Sequence, residues 1–298
     1  MHIVEIPDKK LKIKVPEHLG ECNKAQYINM CNLIYKELTN QITFQELKTH
    51  GIYYLMNMEP SKKEGSEETE LQKWTNISLL ADLVESFFET DEATNTKIIK
   101  QYYINNPIYK IKGVLKDYYG PSNEFNNVKF GEYVDALSHF ADFHETGEIQ
   151  YLYLLIATFY REKRGAFTSA GDFTKDKRVP YNKERVEDLA KMYKLQNMGV
   201  VYGFYLLFAS FKKYLTTAKI YVEGNEIDLS ILFEGDAAPE SDIPGIGMKS
   251  ILYTVAESGI FGTKKEVEET SMWEILIRMY DIRKRDLDAK AQLKKQKT

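Results

Sequence analysis

Four residues of kinds that bind metal ions fall at helical spacing near the middle of the chain. Glu132, Asp135, His139 and Asp142 are separated by three, four and three positions. On a helix these intervals place all four side chains on one face, where carboxylates and an imidazole could form half of a metal site. The opposite face is apolar and no matching carboxylate–histidine helix occurs elsewhere, so a solvated polar face accounts for the same pattern. A metal-dependent enzyme that uses this face is the third functional hypothesis for the chain.

Two further motifs resemble catalytic signatures but lack necessary parts. Residues 244–250 look like a phosphate-binding loop, yet Met248 interrupts the contiguous Gly-Lys-Ser, and a polar stretch stands where a buried strand is needed. Ser210 and Lys213 have the serine–lysine spacing of some acylating enzymes without either companion motif. The sequence therefore predicts that the chain is not an enzyme, with no catalytic residue and no metal or other cofactor.

Charge argues against nucleic acid as a partner. Residues 250–282 have a helix–turn–helix-like order, but the middle element carries Glu266, Glu268 and Glu269, which would repel phosphates. The formal net charge of −4 supplies no attractive field over the whole chain. The basic segments 163–178 and 283–298 can be solvated surfaces or binding surfaces, and the sequence leaves both alternatives open.

Composition indicates a globular protein of the cytoplasm. The apolar fraction is 43% and the charged fraction 28%, which are ordinary values, and the 21 Tyr suit either a binding surface or a Tyr-rich core. Cys22 and Cys31 lie on one predicted helix with Cα atoms about 13 Å apart, too far for a disulfide. Neither a secretory signal nor an apolar run of about 20 residues is found, so we expect a reduced, intracellular protein without a membrane partner.

The longest helical patterns lie between residues 128 and 214. The last of them is expected to bend near Gly199, and the apolar run 198–211 within it is too short to span a bilayer and should be buried. The predicted helices of this block are 128–145, 148–162 and 182–214. Arg161, close to the end of the second, has the charge sign that a helix C-terminus prefers.

Shorter elements surround this block. Alternating apolar residues predict two β-hairpins, one from His2–Ile6 and Leu11–Val15 and one from 220–222 and 227–232. Thr43 and Glu46 have the spacing of a capping box at the start of a helix.

Three further predictions concern the flanks of the chain. Residues 59–70 are expected to form a polar loop, residues 249–258 a helix, and residues 267–282 the final helix. A helix should resume near Leu71 with one apolar face formed by Trp74, Ile77, Ala81, Val84 and Phe88.

These elements predict a mainly α (α+β) fold, with a multi-helix, bundle-like core and two small β-hairpins. Turn-forming residues at 120–123 suggest a boundary there. The predicted division is 1–119 for an N-terminal β-hairpin plus helices, 120–282 for a helical core with the second hairpin and the C-terminal helices, and 283–298 for a basic tail.

Several short segments together resemble a known family. In order they are KFGEYVDA at 129–136, HETGE at 144–148, ATFYR at 157–161, GNEIDLS at 224–230 and ESGIFGT at 257–263. This series resembles an uncharacterised tail-region protein family of Bacteroides-type tailed phages and prophages. The ending that contains TSMWEIL at 270–276 is similar to the C-terminal helix of phage tail-assembly (tape-measure) chaperones. The resemblance covers about residues 129–282 and supplies no active-site residues.

The resemblance implies a non-enzymatic role in phage tail morphogenesis. The first hypothesis is a tail-assembly chaperone that binds the tape-measure protein in the bacterial cytoplasm. The second is a virion structural protein, a connector or tail-completion component, which would form a homo-oligomeric ring. A chaperone needs exposed apolar or aromatic surface to cover an amphipathic partner. The residues expected to bind the partner, unless they form the chain's own core, are Tyr202, Tyr205, Phe208, Phe211, Met272 and Trp273.

Overall fold

The computed structural model describes residues 1–6, 10–59, 66–92, 94–113, 116–164, 176–222, 224–233 and 248–296. The mainly α (α+β) class is confirmed, since helices dominate and the sheets are small and antiparallel. Two compact units divide the chain. The first comprises Met1–Ile108 with Leu195–Phe208, and the second comprises Tyr109–Lys194 with Ala209–Thr298. None of the helices in these described ranges has both the length and the apolar content needed to cross a bilayer.

The elements are numbered in chain order. The helices are α1 (Lys24–Leu38), α2 (Phe44–Leu55), α3 (Glu67–Ala81), α4 (Phe130–Thr146), α5 (Ile149–Phe159), α6 (Val186–Tyr193), α7 (Met198–Thr217), α8 (Met248–Glu257), α9 (Lys264–Glu269) and α10 (Met272–Gln296). The strands are β1 (His2–Ile6), β2 (Leu11–Val15), β3 (Phe88–Thr90), β4 (Lys97–Ile99), β5 (Lys110–Lys112), β6 (Asp117–Tyr119), β7 (Arg161–Glu162), β8 (Lys219–Val222) and β9 (Asn225–Asp228).

Both predicted hairpins are present, and they are not the only sheets in the described ranges. Strands β1 and β2 pair in the predicted positions, from His2 opposite Val15 to Ile6 opposite Leu11. Strands β8 and β9 form the second hairpin, but β9 ends at Asp228 and Leu229–Leu232 is a 3-10 helix, so the predicted strand 227–232 was wrong over its last four residues. The two predicted hairpins did not include the β3–β4 pair or the β5–β6–β7 sheet, whose strands are only two or three residues long and therefore too short for an alternating pattern to be distinctive.

Helix starts follow local capping chemistry. The capping box of Thr43 and Glu46 is confirmed at the start of α2. Helix α3 begins earlier than predicted, because the Ser66 hydroxyl caps Thr69 N–H, and the acidic first turn suits the positive end of the helix dipole. The polar-loop prediction for 59–70 was therefore wrong over its last four positions.

Two predicted helices are interrupted. The 182–214 helix does not bend near Gly199 but breaks before α7, where the Asn197 side chain accepts a hydrogen bond from Gly199 N–H at 2.7 Å. Asparagine at a helix start offers the backbone this alternative partner, and the pattern of apolar residues does not reveal it. The 267–282 helix is divided at extended Thr270 into α9 and α10, and α10 continues as a helix through the basic segment to Gln296.

The first unit is held together where α7 meets α1. Tyr27 Oη donates to Gly203 O at 2.7 Å and forms a hydrogen bond with Tyr103 Oη at 2.9 Å. Cys22 and Cys31 are free thiols in this core, and burial raises the pKa of Cys22 to about 12. This agrees with the expectation of reduced cysteines.

In the second unit α5 packs against both α4 and α6, and α10 packs against α4 and the 3-10 helix Leu229–Leu232. Some of the predictions concern residues that lie partly outside the described ranges, namely the polar loop 59–70, the basic segments 163–178 and 283–298, and the motif 244–250.

Candidate functional site

The face that was considered for a metal holds a buried ion cluster instead. Glu132 of α4 is completely buried. Its Oε1 accepts a hydrogen bond from Arg161 Nη2 at 2.9 Å, and its Oε2 lies 3.3 Å from Arg178 Nη1. The interpretation of this face as solvated was therefore wrong at Glu132. Asp135 is also engaged, since Tyr181 Oη donates to it at 2.8 Å and Lys183 forms an ion pair with it.

His139 and Asp142 do not complete a metal site with these carboxylates. Both are only partly buried, and the two carboxylates before them on α4 are committed to cations and a hydroxyl. Within the described ranges, no group of three or more His, Cys, Asp or Glu side chains is arranged to hold a metal ion. The four residues are thus on one helix, as predicted, but do not form a common centre.

The two arginines join distant segments of the second unit. Arg161 donates to the carbonyl oxygens of Thr158 at 2.7 Å and Val179 at 2.9 Å. Arg178 donates to Phe159 O at 3.0 Å and Asn127 O at 2.7 Å, and its Nε contacts Asp176 at 2.9 Å. Each guanidinium therefore donates hydrogen bonds to backbone carbonyl oxygens as well as to carboxylates. These bonds compensate for the hydration that a charged group loses when it is buried.

Burial affects the two guanidinium groups differently. Burial lowers the pKa of Arg161, and the attraction of Glu132 offsets only part of that effect. Burial also lowers the pKa of Arg178, but Glu132 and Asp176 raise it by more, so the net direction is upward. Since arginine ordinarily titrates above about 12, both groups are cationic at neutral pH. The sequence had placed Arg161 near the C-terminus of a helix over 148–162, and this was wrong because α5 ends at Phe159 and Arg161 belongs to strand β7, with its side chain buried.

A cleft of about 1090 Å³ lies above this cluster in the second unit. Charged side chains of both signs line it, among them Lys129, Asp135, Arg164, Arg185, Lys265 and Glu269. Several of these charges pair with neighbours, as Lys183 does with Asp135 and Lys265 with Glu269 at 4.0 Å. Because the lining has no dominant sign, the cleft does not select a class of charged ligand.

The residues expected to bind a partner lie mostly inside the two units. Four of them, Tyr202, Phe208, Phe211 and Met272, are buried. Phe211 stacks on Phe125 with ring centroids 4.2 Å apart and also contacts Trp273. Tyr205 and Trp273 keep part of their surface exposed, and the Trp273 indole donates to Glu124 O at 2.9 Å. A partner could reach the four buried side chains only if the surrounding helices opened.

Helix α3 of the first unit carries three of the exposed large apolar side chains among the described residues. Leu71 is 70% exposed, Trp74 is 56% exposed and Leu79 is 65% exposed. Of the fifteen residues of this helix, only Ala81 is buried. Leu71 and Leu79 are eight positions apart and share one face, with Trp74 beside them. We call this set the α3 stripe.

The predicted buried face of this helix was partly wrong. Ala81 and Val84 are buried as expected, but Trp74 faces solvent. Trp74 and Ala81 are seven positions apart in the regular helix and share one face, so the periodicity itself holds up to Ala81. Trp74 is exposed because Ala81, at the end of α3, is the only residue of this helix that is buried. The 3-10 helix Asp82–Phe87 changes the period only for the residues after Ala81.

Comparison of the chain with models of protein families, with curated proteins and with solved structures gives no match.

Proposed function

We propose that this chain is a non-enzymatic phage tail-assembly chaperone that binds the tape-measure protein through the α3 stripe. The observation that carries the proposal is the exposure of Leu71, Trp74 and Leu79 on one helix. Exposed apolar side chains that cluster on one element mark protein interaction surfaces. The family resemblance supplies the identity of the partner.

The chemistry of the two surfaces is complementary. A long helical protein awaiting assembly exposes apolar stripes along its helices, and a helix with its own exposed stripe can pack against one of them. Fully burying one leucine side chain is worth about 1.5–3 kcal/mol, so Leu71 and Leu79 together can supply much of the free energy of a reversible complex. Reversibility suits a chaperone, which must release its partner for assembly.

The charged cleft gives less support to an enzymatic role. Glu132 and Asp135, two of the carboxylates that line it, are engaged by Arg161, Tyr181 and Lys183. A general base must lie within hydrogen-bond reach of a substrate proton, and the oxygens of these two carboxylates are already occupied by side chains of the chain itself. The alternative of a virion structural protein shares the need for a protein-binding surface, and it is distinguished by whether the chain remains in the particle.

The double variant Leu71→Ser/Leu79→Ser tests the α3 stripe. Both side chains are largely exposed, so folding should be unaffected, while recovery of co-expressed, tagged tape-measure protein should fall at least about tenfold. Leu195→Ser is the matched control, because Leu195 is 91% exposed and lies outside α3. Equal recovery by the double variant and the wild type would refute binding through α3. No recovery by the wild type would refute the chaperone function itself.

A further inference from the structure

A second helix, α10, is exposed over much of its length in the part of the chain that the structure describes. The first turns of α10 bury Met272, Ile275 and Leu276. From residue 281 to 296, no side chain whose exposure is described is buried. Ile282 is 39% exposed and Leu293 is 58% exposed. We call residues 281–296 the distal half of α10.

The apolar stripe of α10 continues into this distal half. Ile275, Ile282 and Ala289 follow at intervals of seven, and Leu293 comes four positions later. These intervals keep all four side chains on one helix face. The stripe that is buried at the start of the helix is thus uncovered at its end, where another helix could continue the packing.

Charge indicates which kind of helix fits there. The distal half of α10 contains six basic and three acidic residues, and one of the acidic residues, Asp281, already pairs with Arg285. In chain order the nine are Asp281, Arg283, Lys284, Arg285, Asp286, Asp288, Lys290, Lys294 and Lys295. Pairing two such helices would bring like charges together, which disfavours a symmetric α10–α10 contact. An acidic helix with an apolar stripe is the complementary partner.

The chain itself carries such a helix. The α3 stripe follows a first turn that contains Glu67, Glu68 and Glu70. Leu71 and Leu79 span about 12 Å of helix axis, and Ile282 and Leu293 span about 16 Å, so the two stripes are similar in length. Among the described residues, each stripe is exposed on its own unit.

We propose that the distal half of α10 of one copy docks on the α3 stripe of a second copy. The contact is head-to-tail, so repeated copies form a ring if the rotation closes and an open chain if it does not. In the absence of tape-measure protein, this contact shields the exposed leucines, and the client displaces it. This regulatory role rests on the proposed function, whereas the self-contact does not.

The expected association is weak and sensitive to salt. Two short helices bury less than the roughly 1,200 Å² of a standard stable interface, which suits a reversible contact. Its ion pairs are exposed at the rim and are therefore screened as the ionic strength rises. Sedimentation velocity over a range of protein and salt concentrations should show oligomers that dissociate on dilution and in high salt.

Mixing two variants tests whether the contact is head-to-tail, with α10 of one copy on α3 of another. Leu71→Ser/Leu79→Ser removes the α3 stripe, and Leu293→Ser/Lys295→Glu disrupts the distal half of α10; each protein alone should sediment as a monomer. An equal mixture should form a dimer and nothing larger, because it contains one intact surface of each kind. Leu195→Ser should behave as the wild type.

Other outcomes overturn the proposal. A wild type that is monomeric at every concentration, or a mixture that does not dimerise, excludes the contact. If the α10 variant abolishes association and the α3 variant does not, α10 pairs with itself or with another surface. If either variant associates like the wild type, its helix is not in the interface.

Capture of tape-measure protein separates this inference from the proposed function. The α10 variant should recover at least as much tape-measure protein as the wild type, because its α3 stripe is free. A wild type that captures tape-measure protein without associating with itself would support chaperoning and exclude the head-to-tail contact. Self-association without any capture would leave the contact standing and refute the chaperone.

Discussion

Replacing Glu132 with glutamine is expected to lower the free energy of unfolding by about 3–5 kcal/mol, the usual cost of removing one partner from a buried ion pair. The carboxylate lies between Arg161 and Arg178, and all three side chains are almost fully excluded from solvent. Glutamine has nearly the same shape but no charge, so two buried guanidinium groups would be left with only Asp176 to balance them. The loss should be measured by urea denaturation.

The matched control for this prediction is Glu145→Gln on the same helix. Glu145 is exposed, so its substitution should change stability by less than about 0.5 kcal/mol. The contrast between the two glutamines isolates the effect of burial from the general effect of removing one negative charge. If Glu132→Gln lowered the free energy of unfolding by less than about 1 kcal/mol, the cluster would not be a major source of stability for the second unit.

Gly199→Ala is expected to destabilise the first unit by about 3 kcal/mol or more, at the upper end for overpacked sites. At Gly199 the start of α7 comes so close to α1 that an added Cβ would collide with the carbonyl oxygen of Ile28 and meet Asn32 Cβ at 3.0 Å. A backbone carbonyl cannot rotate away as a flexible side chain can, so the two helices would have to separate. This cost exceeds the roughly 1 kcal/mol that alanine gains over glycine in a helix.

Gly51→Ala provides the comparison for Gly199. Its added Cβ would meet the sulfur of Met30 at 3.2 Å, and methionine can move to another rotamer. We therefore expect the melting temperature of this variant to be close to that of the wild type. Equal melting temperatures for the two alanine variants would contradict the close crossing of α1 and α7.

Features that depend on neighbouring residues could be predicted from the sequence. The β1–β2 hairpin and the capping box of Thr43 and Glu46 involve contacts within a few positions, and both are confirmed. The break before α7 was missed, although Asn197 is a local capping signal, because a continuous apolar pattern runs across it. At residues 194–198 the capping residue Asn197 indicates the helix boundary better than the helical period of the apolar residues does.

The charge cluster could not be predicted because its members are far apart in the chain. Glu132 is 29 positions from Arg161, and the sequence around each residue also fits a solvated charge. Only the packing of α4 and α5 in the second unit brings them together. The exposure of Trp74 was missed for a related reason, since periodicity identifies the apolar face of α3 but not how much of that face other elements cover.

Mass spectrometry of purified phage particles and of infected-cell lysate, with this chain tagged for capture, tests the central claim most directly. The chaperone account predicts that the chain is absent from mature particles and that its capture from lysate recovers the tape-measure protein. It further predicts that Leu71→Ser/Leu79→Ser removes the tape-measure protein from the captured material while Leu195→Ser retains it. A fixed number of copies in every particle would contradict the account and identify a structural component of the virion.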